Sequence, residues 1–199
     1  MTNDGKAQNI VSPQDRPDAN SLMASASRAS KKGPPPVHLW NPPFCGDIDM
    51  RIARDGTWFY MGTPIGRPAM VKLFSSILKK EGDAYFLVTP VEKVGIQVDD
   101  APFVAVDFAV SGEGADQVLT FTTHVGDVVA AGPDNPIRVE MGEDGEPAPY
   151  VHVRAGLEAL IDRKSFYRLV ELGEEQDGWF GLRSGGAFFG IDRADALGM

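Results

Sequence analysis

The residues with the most chemical potential in this chain are few and dispersed. Asp47-Ile48-Asp49 sets two carboxylates on one face of an extended strand, about 7 Å apart, because alternate residues share a side. Such a pair can hold a divalent metal or share acid–base work. Arg51 continues the same face, so an ion-paired surface fits the spacing better. Arg51 and Ile52 also stand where a calcium loop needs Asp or Asn and then Gly. Gly62-Thr63-Pro64-Ile65-Gly66-Arg67 lies between a predicted strand and a predicted helix. Small residues there leave backbone N–H groups open to an anion, and Arg67 can add a two-pronged contact. The competing reading is a plain connection whose Arg67 pairs with a neighbouring carboxylate, since the G-K-[ST] ending of a phosphate loop is missing. Arg163 precedes the second predicted helix as Arg67 precedes the first. Tyr150, His152 and Arg154 share one strand face, an aromatic–basic set that can stack a base and hold a phosphate. A half-covered strand surface accounts for that set equally well.

Several reaction classes drop out. His38, His124 and His152 have no metal-ligand spacing, and His124 beside Thr120 and Thr122 reads as part of a solvated strand face. Gly181-Leu182-Arg183-Ser184-Gly185 places its serine one position late for a hydrolase elbow. Gly112-Glu113-Gly114 runs into Ala115-Asp116-Gln117, which breaks the dinucleotide fingerprint. Cys45 is the only cysteine and reads as an inert buried thiol. No catalytic residue, metal ligand or cofactor is expected.

These side chains must be held by a strand-rich frame. The 199 residues are 43% hydrophobic, with 22 Gly and 15 Pro, enough for one well-cored domain or two small ones. A net charge of -9 repels phosphate backbones and anionic lipid, so neither nucleic acid nor membrane is expected as partner. No apolar run of about 18 residues occurs, and the chain reads as soluble and cytoplasmic. Residues 1–36 carry almost no large apolar groups and predict a disordered tail. Beyond it the expected units are an N-terminal α+β unit over 37–100 and a C-terminal β-rich unit with one main helix over 101–199.

Alternation of Ile48, Met50 and Ile52 marks a half-buried strand, and Asp55-Gly56 a tight hairpin turn. Pro68 opens a helix whose stripe is Met70, Leu73, Phe74, Ile77 and Leu78, with Gly82 as its cap. In the middle, Val104, Val106, Phe108 and Val110 predict one buried strand face. The order strand, Asp-Gly turn, strand, helix, strand recurs from Ile137 through Asp144-Gly145, Tyr150–Val153, Phe166–Val170 and Glu175–Leu182. This predicts two related ββαββ-type units with antiparallel sheets, an α+β fold, pairing Ile48–Val98 with Ile137–Asp192. A seam between two such units is where a ligand is expected.

Trp40–Ile52, Asp55–Pro68, Leu87–Val94, Asp100–Val104 and Pro149–Ile161 resemble a bacterial family of uncharacterised proteins, over nearly everything after the tail. The resemblance implies a duplicated core and a second half extended into a small barrel-like domain similar to a pleckstrin-homology fold. It also implies a nucleotide-like ligand between the halves and a role in signal transduction. Together with the residues above, it makes Arg67, Glu92, Lys93, Tyr150, Arg154 and Arg163 the ligand-binding candidates. The expected function is a regulatory or ligand-binding protein for a small anionic ligand, rather than an enzyme. The alternatives are a hydrolase or transferase acting on a phosphorylated small molecule, with Asp47, Asp49 or Glu92 as metal ligand or base, and a protein-interaction module. Oligomeric state is left open.

Overall fold

A computed structural model describes residues 18–30, 34–142 and 145–195. The first unit comprises β1 (Phe44–Ile52), β2 (Trp58–Tyr60), β3 (Thr63–Pro64), α2 (Pro68–Ser76), β4 (Leu78–Glu81), β5 (Ala84–Val88) and β6 (Lys93–Val98). It is preceded by α1 (Ala19–Ala29). Its six strands form one sheet in the order β3-β2-β1-β6-β5-β4. Ile48, Met50 and Ile52 of β1 point into the core, as their alternation predicts. The sheet is two antiparallel three-strand meanders joined at the middle, where β1 and β6 run parallel.

The second unit repeats this plan. Strands β7 (Phe103–Ser111), β8 (Val118–Thr123), β9 (Val128–Ala130), β10 (Ile137–Met141), β11 (Pro147–Arg154) and β12 (Leu157–Ile161) form a sheet in the order β10-β11-β12-β7-β8-β9. Again two meanders meet through a parallel pair, β7 with β12. The duplication is therefore present in an α+β fold, with β1–β6 equivalent to β7–β12. The expected pairing of Ile48–Val98 with Ile137–Asp192 is corrected, because Ile137 begins the second meander of its sheet. Both sheets are mixed rather than purely antiparallel. Beyond β12 the unit continues into α3 (Arg163–Val170), then β13 (Glu174–Gln176), β14 (Trp179–Ser184) and β15 (Ala187–Arg193), a separate sheet that curls into half a barrel. The Asp144 half of the expected second turn lies outside the described residues.

Five local expectations are corrected. Residues 19–29, assigned to a disordered tail by composition, form α1, with Asp18 capping its N-terminus through bonds from Asn20 and Ser21 N–H. Leu22 and Ala26 are fully buried, and α1 packs on α2. The rest of the expected tail up to residue 17 lies outside the described residues. Helix α2 stops at Ser76; Ile77 reaches the core from the turn that ends the helix, and Leu78 from the next strand. Gly82 then takes a left-handed φ of 60° in the β4–β5 turn instead of capping a helix. In β7 a bulge between Ala105 and Asp107 shifts the alternation, so Phe103, Ala105 and Phe108 are buried while Val106 and Val110 are exposed. Cys45 is exposed rather than buried.

One contiguous core serves α1 and both units. Trp58 of β2 and Phe74 of α2 are fully buried and stack with centroids 6.2 Å apart. The third sheet is fastened to the second at Ser184, whose hydroxyl accepts from Leu119 N–H and donates to Ala131 C=O, both at 2.8 Å.

Candidate functional site

The seam between the units is built around α2. Its C-terminal turn exposes backbone carbonyls that attract a cation, and Arg154, at the end of β11, supplies one from the other unit. Arg154 donates to the Ser75 carbonyl at 2.8 Å and to the Asp127 carboxylate at 2.5 Å, and its guanidinium lies 5.0 Å over the Phe103 ring. Lys72, four residues before the end of α2, reaches across the same seam. Its Nζ lies 3.6 Å from where a Cβ on Gly126 would stand, in the turn between β8 and β9. Lys80 of β4 brings its aliphatic stem to Gly156, in the turn between β11 and β12, with Cδ 4.0 Å from where a Cβ there would stand and Nζ 5.4 Å from the centroid of the Tyr85 ring.

Between these groups is a cavity of about 810 Å³. Leu73, Leu78 and Leu157 give it apolar walls, the segment Pro34–His38 closes one side, and Lys72, Lys79, Lys80, Arg154 and Asp127 supply the charge. Lys79 is engaged with Glu81 at 3.0 Å, and Arg154 with Asp127. Lys72 is exposed and forms no ion pair among the described residues. A concave, largely apolar space of this size with a few converging cations is suited to a small organic anion.

The residues singled out by sequence are not gathered into one site. Arg154 lines this cavity. Arg67 is exposed at the N-cap of α2, makes no side-chain capping bond, and stands outside it. Arg163 lines a second cavity of about 730 Å³ beside Arg54 and Tyr167. Both arginines there are already paired, Arg163 with Glu146 and Arg54 with Asp100 at 3.1 Å. Tyr150 is buried, donates to Asp100 at 2.8 Å, and lies under the Arg138 guanidinium. Burial and the Asp100 carboxylate push its phenol up to about 12. Lys93 pairs with Glu81 at 2.9 Å and covers the Phe86 ring. Glu92 sits in the tight Thr89–Glu92 turn, its Oε1 buried with no hydrogen-bond partner among the described residues; burial, then the nearby Asp18 charge, raises its pKa. Among the described residues, no three His, Cys, Asp or Glu side chains cluster as a metal site.

From sequence Lys72 reads as a solvated helix charge, because the turn it faces belongs to the other unit. His124 was misread for the same reason. It packs on Gly56 of the first unit: a Cβ there would come within 3.0 Å of Nε2, and Gly56 itself has a φ of 86°. Its Nδ1 accepts the Val104 N–H at 3.1 Å, and burial pushes its pKa down despite the nearby Asp127 and Asp55 carboxylates.

This predicts a pH dependence of stability. The unfolded imidazole takes up a proton near its ordinary pKa of about 6.5, whereas the folded one, holding Nδ1 against an N–H, resists. Stability is therefore full above that value and falls as pH drops through the window between the two. Glu92 acts with opposite sign, its contribution being lost as pH rises through its raised folded pKa. His124→Asn, whose amide oxygen can accept the same N–H without titrating, should flatten the decline below about pH 6.5. Urea melts across pH would test it; an unchanged slope in the variant would count against the assignment.

Models of one family cover most of the chain. The N-terminal domain of a domain of unknown function, DUF1285, matches residues 35–101, and the C-terminal domain of the same protein of unknown function matches residues 102–191. The chain belongs to the DUF1285 family. Its relatives include a DUF1285 protein of Silicibacter pomeroyi DSS-3, whose crystal structure is 72% identical with a TM-score of 0.84, over 89% of this chain and 98% of that one. Another is a DUF1285 protein of Shewanella baltica OS155, 31% identical with a TM-score of 0.50, over 62% of this chain and 91% of that one. A comparison with curated proteins finds no match. The two DUF1285 models meet at the link between β6 and β7, so each takes one copy of the duplicated sheet. No helix among the described residues is long and apolar enough to cross a membrane.

Proposed function

We propose that this DUF1285 protein is a cytoplasmic ligand-binding regulator, holding a small anionic, nucleotide-like ligand in the seam cavity and signalling its presence. The observation that carries this reading is Lys72, a cation without an ion-pair partner among the described residues, beside Arg154 at an apolar cavity of about 810 Å³, in a chain of net charge -9. In so acidic a molecule, cations converging on a cavity favour an anion locally. A phosphate would lie between Lys72, Lys80 and Arg154, and the rest of the ligand against Leu73, Leu157 and the Pro34–Pro35 wall. Because the walls come from both units, an occupant would draw α2 toward the β8–β9 and β11–β12 turns, the kind of differential contact that a regulatory response requires.

Native mass spectrometry of freshly purified protein, followed by calorimetry against a nucleotide panel, tests this. Lys72→Ala should weaken binding by about 1.5–3 kcal/mol, the range for a charge-assisted contact, while leaving stability nearly unchanged. Arg67→Ala is the comparison. If it costs as much as Lys72→Ala, the anion lies at the start of α2 instead; if no panel member binds, the seam reading fails.

A further inference from the structure

The wall of the seam cavity carries a hydroxyl that the fold does not engage. Three serines line the cavity, Ser30, Ser75 and Ser76. Ser75 Oγ donates to the Lys72 carbonyl at 2.8 Å and Ser76 Oγ to the Leu73 carbonyl at 2.6 Å, so both are satisfied within α2. Ser30 Oγ is buried with no hydrogen-bond partner among the described residues. A buried hydroxyl in that condition costs stability, and an occupant of the cavity that bonds to it removes the cost.

Ser30 is also the C-cap of α1. Among the described residues, no hydrogen bond or ion pair ties residues 18–30 to the rest of the fold. The side-chain bonds there stay local, Asp18 with the N–H groups of Asn20 and Ser21, and Arg28 with Ser25 at 3.1 Å. Helix α1 is held by packing, through Leu22 and Ala26, and its Asp18 end stands near the like-charged Glu92. The DUF1285 match begins at residue 35, so α1 lies ahead of the family domain while completing its core. A helix fastened by apolar contact alone can open by itself, before the sheets do. We infer that Ser30 is a ligand contact of the seam site, and that an occupant bonded to Ser30 and to Lys72 or Arg154 pins α1 against α2. This rests on the seam reading above. The coupling is reciprocal: the factor by which docked α1 strengthens binding is the factor by which the occupant strengthens docking. Helix α1 is thereby the element that reports occupancy, uncovering the apolar face of α2 whenever it lifts.

Hydrogen exchange read by mass spectrometry on the full chain tests this, with AMP and ATP as probes and calorimetry on the same samples. Without nucleotide, the α1 amides should exchange faster than those of β1 and β12. A saturating nucleotide should slow α1 by about threefold or more and leave α3, outside the seam, unchanged. Ser30→Ala should weaken nucleotide binding by about three- to tenfold, the loss of one neutral hydrogen bond, and reduce the slowing by the same factor. Its Tm should stay level or rise slightly, because the unpartnered hydroxyl is gone. Ser30→Thr, which keeps a hydroxyl, should retain both effects, and Ser76→Ala should alter neither. If a nucleotide binds but α1 exchange does not respond, or Ser30→Ala binds as tightly as the parent chain, the inference is overturned while the seam reading stands. Exchange of α1 no faster than that of β1 in the nucleotide-free protein overturns it too. If neither nucleotide binds, the seam reading fails and takes this inference with it.

Discussion

Leu22→Ala should destabilise the protein by about 2–5 kcal/mol, the usual cost of truncating a buried leucine whose surroundings cannot collapse around the gap. Leu22 has no exposed surface, although apart from it and Met23 the helix is alanine, serine and polar residues. With Ala19 and Ala26 it lets α1 lie close on α2, where small side chains permit near approach and one large one fills the remaining space. For a chain of this size each kcal/mol corresponds to roughly 2–4 °C in Tm, so an ordinary thermal melt suffices. A change below about 0.5 kcal/mol, the level of an exposed substitution, would mean that α1 does not contribute to the folded core.

Phe74→Ala should cost about 3–5 kcal/mol. Its ring is fully buried and stacks on Trp58 with an interplanar angle of 18°. Removing it opens a cavity between α2 and β2 and leaves the indole without its neighbour. The near-ultraviolet circular dichroism of the folded protein should change along with the urea midpoint. Because Lys72 and Ser75 flank Phe74 on the same helix, the variant should also loosen the seam and weaken any ligand held there. Phe74→Leu should do less of both. Full retention of stability by Phe74→Ala would contradict the packing described.

Much of the frame is legible in the sequence wherever the signal is local. The period-two pattern of β1 needs only neighbouring residues to be read, and Pro68 marks the start of α2 because its ring suits the first helical turn. The end of α2 was not legible. Ile77 and Leu78 continue a helical stripe by spacing, yet they are buried equally well by a strand, and pairing of Leu78 with Leu87 decides for the strand. The β7 bulge was hidden because Val104, Val106, Phe108 and Val110 alternate without a break; only the mate strand, which pairs Ala105 with Thr123 but Asp107 with Thr122, shows the extra residue. The duplication was visible as a similarity of local elements, but its register depends on which strands pair, and local order does not carry that. For α1, low hydrophobicity concealed a helix that docks through Leu22, with Met23 packed beside it.

The candidate site was less legible than the frame. Arg154 could be named from its strand face, but its decisive partner is the Ser75 carbonyl, 79 positions away in the chain. A backbone acceptor carries no sequence signature. Lys72 has the pattern of a solvent-facing helix charge, and only the glycine turn opposite it makes the position unusual. Arg67 and Arg163 were paired by the assumed repeat. Once the register is corrected, α3 follows the repeated sheet instead of lying inside it, and that equivalence disappears.

The parallel pair at the centre of each sheet has a kinetic consequence. Within a meander every strand meets its successor after a short turn, so closure costs little entropy. The β1–β6 and β7–β12 pairs instead join the first and last strands of their units, such as Arg51 with Gln97 and Phe103 with Ala159. Those contacts have to wait until the whole intervening segment has been collected, and non-local pairing of this kind slows folding. During synthesis the amino-terminal copy has all of its strands once β6 has left the ribosome, before any strand of the second copy is available to compete for the exposed edges of β1 and β6. Vectorial emergence thus separates in time two sheets so alike in topology that, refolded together from denaturant, each offers the other a plausible wrong mate.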